Sequence, residues 1–349
     1  MMTIDFSHPI NPENLHPETD FDIKVIQFLK EWYSEKPRVK VQTSGSTGKP
    51  KIFEIEKSRM LHSAKNTCDY LGLKKGDTAL LCLPVEYISG KMMVVRAILQ
   101  QLKLSTVTPS NEPLKGIKEK YTFCAMTPLQ VENSISQLPF IEKLIIGGAA
   151  VAERLKKKIK GNPTQIFETY GMSETLSHIA LKKLNPKEEE YFQLFNHIKI
   201  STDARNCLRI EAPDLHPEII QTNDVVELKN HREFKFLGRT DHIINSGGAK
   251  IFPEVLESMA KKEISNEIVF IGLPDEKYGQ KLVAVVEGNK SENTEQHILN
   301  LPYEKSFHKP KEVIFVQNIP RTANGKVNRL QLQTQLEKIH HNFTPIKKD

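Results

Sequence analysis

A chain of 349 residues is longer than one hydrophobic core usually serves, so two domains and a substantial buried interior are expected. Its net charge of +6 is carried by lysines interleaved with glutamates, with no basic block alternating with aromatics, which argues against a nucleic-acid-binding surface. Four dispersed cysteines (Cys68, Cys82, Cys124, Cys207) argue against a disulfide framework or zinc cage, no leader-like N-terminus is visible, and no apolar run approaches the ~20 residues of a membrane span, so the expected setting is a reducing cytoplasm.

The apolar positions of FDIKVIQFLKEWY (21–33) recur at helical spacing and predict the first helix. RVKVQT (38–43) and KIFEIE (51–56) alternate with a period of two and predict a strand, loop, strand element. SRMLHSAKNTCDYLGL (58–73) predicts a helix capped by Ser58 and ended by Gly72. Strand-like runs follow at 78–85, 104–109, 122–126, 143–148 and 164–170, separated by helical stretches such as GKMMVVRAILQQL (90–102) and VAERLKKKIK (151–160). This alternation implies an α/β fold with a parallel sheet covered by helices, whose ligands bind beyond the strands' carboxyl ends. There stand GGAA (147–150) and TYGMSET (169–175). Closely spaced strand patterns from 178 to 237 predict an antiparallel β subdomain. After Gly238 a helix at 253–263 and strands at 266–272, 281–288 and 312–318 predict a small α+β domain. The expected division is 1–238 and 239–349.

The stretch Thr43–Lys51, TSGSTGKPK, has the composition with which a chain wraps phosphate oxygens in backbone N–H groups, hydroxyls and ammonium charge. It is not the nucleoside-triphosphatase P-loop: only Ser46 and Thr47 separate Gly45 from Gly48, Pro50 follows Lys49, and the flanks are strands. Alone it is also compatible with an ordinary Gly-rich hairpin turn.

Four further stretches accompany it in order: TYGMSET, QTNDVVEL, GRTDHIINSGGAKIFPEVLE and PRTANGKVNR. Together, over about residues 40–330, they resemble the adenylate-forming superfamily of acyl- and aryl-CoA ligases, peptide-synthetase adenylation domains and luciferases. LPVEYISGKMMVVRA (83–97) and the brevity of the chain are most similar to the short o-succinylbenzoate CoA ligases of menaquinone biosynthesis. Most of the superfamily has a far longer stretch before the phosphate loop, so the resemblance implies that the N-terminal domain is truncated.

The resemblance implies ATP, Mg²⁺ and coenzyme A as partners of a small carboxylic acid. It places the β- and γ-phosphates on Thr43, Ser44, Gly45, Ser46, Thr47, Gly48 and Lys49, Mg²⁺ on Glu174, and phosphate on Ser173, beside Gly171. The ribose hydroxyls fall to Asp224, although Gly is commoner where Asn223 sits, with Arg239 on the ribose or phosphate side. Gly148 and Tyr170 flank the adenine, and Gly147 adjoins the acyl group. Lys326 bridges the attacking carboxylate and the α-phosphate, Asp241 is the hinge of a swinging C-terminal domain, and Gly247 and Gly248 lie along the pantetheine chain. Each charged residue taken singly is more often solvated surface; their order within matching motifs reverses that. His178, His242, His340 and His341 have no motif support and are read as surface or packing.

A helix beginning near Gly90 puts Ser89, Met92, Met93 and Arg96 on one face behind Tyr87. Arg96, with Ser89, is the candidate partner for the carboxylate of o-succinylbenzoate that is not activated, and Lys91 the lesser one; pairing of Arg96 with a surface acid is the competing reading. Activation of another aryl or fatty acid, loading of a carrier protein, and a nucleotide sensor without catalysis stay open, as does the oligomeric state, a homo-oligomer included.

Overall fold

The computed structural model describes residues 1–42, 52–321 and 327–343, the last five by their backbone alone. In chain order the elements are β1 (Thr3–Asp5), α1 (Asp20–Tyr33), β2 (Arg38–Gln42), β3 (Ile52–Glu56), α2 (Lys57–Leu71), β4 (Thr78–Leu81), α3 (Ile88–Gln100), β5 (Lys103–Thr106), β6 (Tyr121–Met126), α4 (Pro128–Glu132), β7 (Ile141–Ile146), α5 (Glu153–Ile159) and β8 (Gln165–Gly171). Then come β9 (His178–Asn185), β10 (Phe192–Leu194), β11 (Lys199–Thr202), β12 (Cys207–Glu211), β13 (Ile220–Asn230), β14 (Glu233–Arg239), β15 (Ile244–Ser246), β16 (Ala249–Ile251), α6 (Pro253–Ala260), β17 (Ile268–Asp275), β18 (Gly279–Glu287), α7 (Glu292–Leu299), β19 (Glu312–Val316) and α8 (Arg329–Phe343).

The apolar runs LLCL, FCAM and LII have no polar alternation because helices cover both faces of their strands, and they pair in parallel in the order β5-β4-β6-β7-β8. β1 closes one edge against β5. At the other, β9 turns antiparallel onto β8 and the path continues through β10, β14, β13, β12 and β11. The strands expected as a separate antiparallel unit thus extend the same hydrogen-bonded sheet. Their inward residues, such as Leu181, Leu194, Leu208 and Phe234, join one apolar cluster with α1, α2 and α3.

β2 and β3 form their own hairpin, with Gln42 opposite Ile52, so the two ends of the phosphate-loop segment emerge side by side. One expectation fails here: Ser58 is not a cap. β3 runs directly into α2, whose Ncap is Glu56 without a side-chain hydrogen bond, and the N–H of Lys57 is taken by the Pro37 carbonyl at 2.9 Å. Gly72 does end the helix, in the left-handed conformation. α3 starts at Ile88, two residues before the expected Gly90.

Beyond Arg239 the order β16-β15-β18-β17, with β19 parallel to β18, makes a second sheet carrying α6 and α7 on one side and α8 on the other. α8 is tied to α6 by Arg329, which meets both Glu257 oxygens at 2.7 Å. No apolar cluster crosses from Phe236 to Ile244 among the described residues.

Candidate active site

The last residues of β8 and the neighbouring strands β13 and β14 gather one polar chain. Register places Asp224 opposite Arg239, and Arg239 Nη1 donates to Asp224 Oδ1 at 3.0 Å while its Nη2 donates to Asp241 Oδ2 at 2.7 Å. Tyr170 donates its hydroxyl to Asp224 Oδ2 at 2.6 Å. Its ring is packed edge-on to Phe234 at 4.9 Å and beside Phe192. Asp224, 8% exposed, also receives order from Thr222, whose hydroxyl accepts the Asp224 N–H and donates to the Leu208 carbonyl. Burial, then the Asp224 charge, push the Tyr170 phenol far above its usual range, so it is a hydrogen-bond donor at any ordinary pH. Burial works against the charges of Arg239 and Asp241, yet their mutual pairing outweighs it and holds the guanidinium above and the carboxyl below their usual ranges.

GGAA leaves the carboxyl end of β7 as expected. Gly147 donates its N–H to the Met126 carbonyl, and the loop is pinned from behind by Glu168, which accepts the Val151 N–H at 2.9 Å and pairs with Lys182. Sequence reasoning missed that buried pair, because an alternating Glu and Lys on strands read as surface. Gly171 is where the chain doubles back: a Cβ there would lie 2.4 Å from the Ser177 carbonyl oxygen and the His178 Cα, so only glycine permits the approach. Ser173 and Glu174 occupy the loop so formed and are exposed, and Glu174 has no hydrogen-bond or ion-pair partner among the described residues. An unpaired carboxylate beyond the strand ends fits a magnesium ion whose other ligands are phosphate oxygens and water; no group of three or more metal-ligating side chains occurs among the described residues.

The acyl-side candidates sit on α3. Tyr87, its Ncap, bridges to Gln42, which also donates its N–H to the Glu86 carbonyl, so the helix starts beside the entry to the phosphate-loop segment. Ser89 is exposed. Arg96 is not: it is 2% exposed, and among the described residues no carboxylate pairs with it, which overturns the reading of Arg96 as the partner of a surface acid. Its Nη2 donates to Ser177 Oγ at 3.1 Å, its buried Nε has no partner among the described residues, and burial lowers its pKa to about 10. Ser177 Oγ is 3.2 Å from His178 Nδ1, and His178 Nε2 is 3.0 Å from Thr67 Oγ1 on α2. His178, read from sequence as packing or surface, is therefore part of a buried polar cluster. Lys91 turns elsewhere, 4.1 Å over the Phe28 ring.

On the C-terminal side Asp241 is exposed in the 3₁₀ turn Thr240–His242. His242, also read as surface or packing, pairs with Glu254 of α6. Gly247 and Gly248 form the two-residue turn between β15 and β16, both at positive φ, which the hairpin itself demands. Thr43, Ser44, Gly45, Ser46, Thr47, Gly48 and Lys49 lie outside the described residues, as does Lys326; the flanks of the latter are joined by a bridge between Arg321 and Val327.

A helix-covered parallel sheet continued by antiparallel strands, a second α+β sheet after a short 3₁₀ link, and a buried carboxylate beside glycine loops at the strand ends define an enzyme of the adenylate-forming type. The chain belongs to the AMP-binding enzyme family: residues 30–199 match the AMP-binding enzyme and residues 257–326 its C-terminal domain. It is 24% identical to a 2-succinylbenzoate–CoA ligase of Listeria monocytogenes, over 92% of this chain and 74% of that one. Among solved structures, an acyl-CoA synthetase (AMP-forming)/AMP-acid ligase II-like protein of Dyadobacter fermentans is 31% identical with a TM-score of 0.66, covering 96% of this chain and 99% of that one. The o-succinylbenzoate coenzyme A synthetase of Bacillus subtilis, in complex with ATP and magnesium ion, shares the fold with a TM-score of 0.72 at 19% identity, over 84% of this chain and 69% of that one. No helix among the described residues is long and apolar enough to cross a membrane.

Proposed function

We propose that this protein is a cytoplasmic ligase that activates o-succinylbenzoate with ATP and transfers the acyl group to coenzyme A. In the first step an oxygen of the succinyl carboxylate forms a bond to the α-phosphorus, and the bond to the β-phosphate bridging oxygen breaks, releasing pyrophosphate. In the second the coenzyme A thiolate, its proton lost to solvent, bonds to the acyl carbon and AMP departs. The chain's task is to hold two anions together and to stabilise charge on phosphoryl oxygens. Thr43 to Lys49 would bind the outer phosphates, Asp224 would accept the ribose hydroxyls with Tyr170 and Arg239 fixing its carboxylate, and Lys326 would bridge the attacking oxygen and the α-phosphate. Magnesium on Glu174 would neutralise phosphate charge.

The observation that carries the choice of acid is Arg96. A buried guanidinium with no carboxylate on it among the described residues, bonded to Ser177 only three residues beyond Glu174, suits the ring carboxylate that is not activated. The division of the core between Phe236 and Ile244, with Asp241 exposed between, supports a C-terminal body (239–349) that turns about Asp241 on a larger one (1–238). Gly247 and Gly248 would then offer a narrow hairpin tip to the pantetheine chain. A panel of carboxylic acids assayed for AMP formation with and without coenzyme A tests the proposal. o-Succinylbenzoate should give an acyl-CoA detected by mass, and absence of acid-dependent pyrophosphate release overturns it.

A further inference from the structure

We propose that Ser177, His178 and Thr67 form a positioning relay that orients Arg96, and thereby set the preference for an acid bearing a second, non-reacting carboxylate; this rests on the reading of Arg96 given above. Only one direction of hydrogen bonding satisfies every hydroxyl and imidazole proton among Thr67, His178 and Ser177. The Thr67 hydroxyl lies 3.3 Å from the Ser63 carbonyl one helical turn back and donates to it. With its proton spent, Thr67 Oγ1 accepts from His178 Nε2–H. His178 Nδ1 is then the bare nitrogen and accepts the Ser177 hydroxyl proton. Ser177 Oγ, having donated, offers its lone pair to Arg96 Nη2. Reversed, the chain would have Nδ1–H and Nη2 both donating to Ser177 and leave that hydroxyl's own proton without an acceptor.

The relay therefore does two things. It selects the neutral Nε2–H tautomer of His178, which agrees with the burial and the Arg96 charge that hold this imidazole well below its usual pKa. It also spends the Ser177 proton on His178, so that toward Arg96 the hydroxyl only accepts: one Nη2 proton of Arg96 is tethered and the Nε–H edge stays free for a carboxylate. Thr67 lies on α2, Arg96 on α3 and His178 at the start of β9, with Ser177 one residue before it, and the Thr67 and His178 side chains are buried, so the relay is anchored in the packed core. An arginine without such a tether has several rotamers of similar energy, and loses affinity for a planar anion in proportion.

The test compares kcat/KM for o-succinylbenzoate with that for 4-oxo-4-phenylbutanoate, the same keto acid without its ring carboxylate, in four variants. Arg96→Ala should cut the diacid by about 10- to 100-fold and the monoacid far less. Ser177→Ala and His178→Leu should do the same with an effect of about tenfold, mostly in KM. His178→Asn, which keeps an acceptor near the Nδ1 position, should recover most of the loss. Equal losses for both acids in Ser177→Ala and His178→Leu mean a merely structural cluster and overturn the relay, and so does full diacid activity in Ser177→Ala or His178→Leu, or a His178→Asn variant no better than His178→Leu. If Arg96→Ala itself fails to discriminate between the acids, the reading of Arg96 falls first and takes the relay with it.

Discussion

Replacing Tyr170 by Phe removes one oxygen from the polar chain and almost nothing else, because the ring already lies among Phe192, Phe234 and Phe236 and needs no repacking. The bond lost is a short one to a carboxylate, 2.6 Å, of a kind worth about 1.5 to 3 kcal/mol. Burial of Asp224 at 8% exposure pushes toward the upper figure, since Oδ2 is left facing a phenyl edge; the retained Arg239 bond on Oδ1 keeps the charge compensated and pushes toward the lower. A loss of about 2 kcal/mol is the resulting expectation, which in a body of this size lowers Tm by about 4 to 8 °C. Catalysis should respond through the ribose. With one side of the carboxylate unheld, the preference in kcat/KM for ATP over 2′,3′-dideoxyATP should shrink several-fold, because the dideoxy nucleotide never used Asp224. A thermal melt and the two nucleotide titrations suffice. A variant melting within about 1 °C of the parent, with its preference for ATP intact, would show that the hydroxyl neither stabilises nor orients Asp224.

Gly171→Ala forces a Cβ to within 2.4 Å of the backbone at Ser177 and His178, so the turn holding Glu174 must shift, and both stability and adenylation should fall by more than a surface substitution explains; a parent-like melt with parent-like pyrophosphate release refutes this. His178 predicts an acid sensitivity. Its folded pKa is depressed, so below the unfolded value of about 6.5 the unfolded chain binds a proton that the folded one refuses, and stability is complete above that pH and declines below it by up to ~1.4 kcal/mol per unit. Arg96, Ser177, Thr67, Cys68 and the Phe195 ring surround the site and supply no carboxylate to offset this. Denaturant midpoints at pH 7, 6 and 5 should therefore fall more steeply for the parent than for His178→Asn, and parallel curves refute the assignment. Lys326→Ala should slow acyl-AMP formation by roughly 10² to 10³ while sparing thioester formation from presynthesised acyl-AMP; equal loss in both half-reactions contradicts the bridging role.

The strands of the parallel sheet were legible because runs such as LLCL and FCAM are buried on both faces, a pattern no surface element produces. Elements that depend on partners far along the chain were not. β1 is three residues long and exists by pairing with β5 a hundred residues away, and α7 is polar enough that only Ile298 of its eight residues is buried. The glycine-rich motifs TYGMSET and GGAA do fall at strand ends, where the candidate site was expected. Which side chains touch there was beyond sequence reasoning. Asp224 and Arg239 carried separate roles until register set them opposite each other, and Ser177, His178 and Thr67 carried none until α2, α3 and β9 packed together. A histidine's place in the sequence gives no periodic signal of which of its two ring nitrogens carries the proton.

The two arginines of the site show how burial assigns such roles. Arg239 is 42% exposed and divides its fork between Asp224 and Asp241, so its charge is answered within the chain and its work is to hold two carboxylates at fixed positions. Arg96 is almost wholly buried, and its bond to Ser177 supplies a dipole where a counter-charge would be needed. Desolvating a cation without an anion is among the larger costs a fold can carry, and replacing such a residue by a packed apolar one would relieve it. A helix reading MMVVRA, apolar on both sides of the arginine, had that option at every position around it. The charge is intelligible when the missing anion arrives with the substrate, for then the cost borne by the free protein becomes a difference in affinity between acids that bring a second carboxylate to Arg96 and acids that do not.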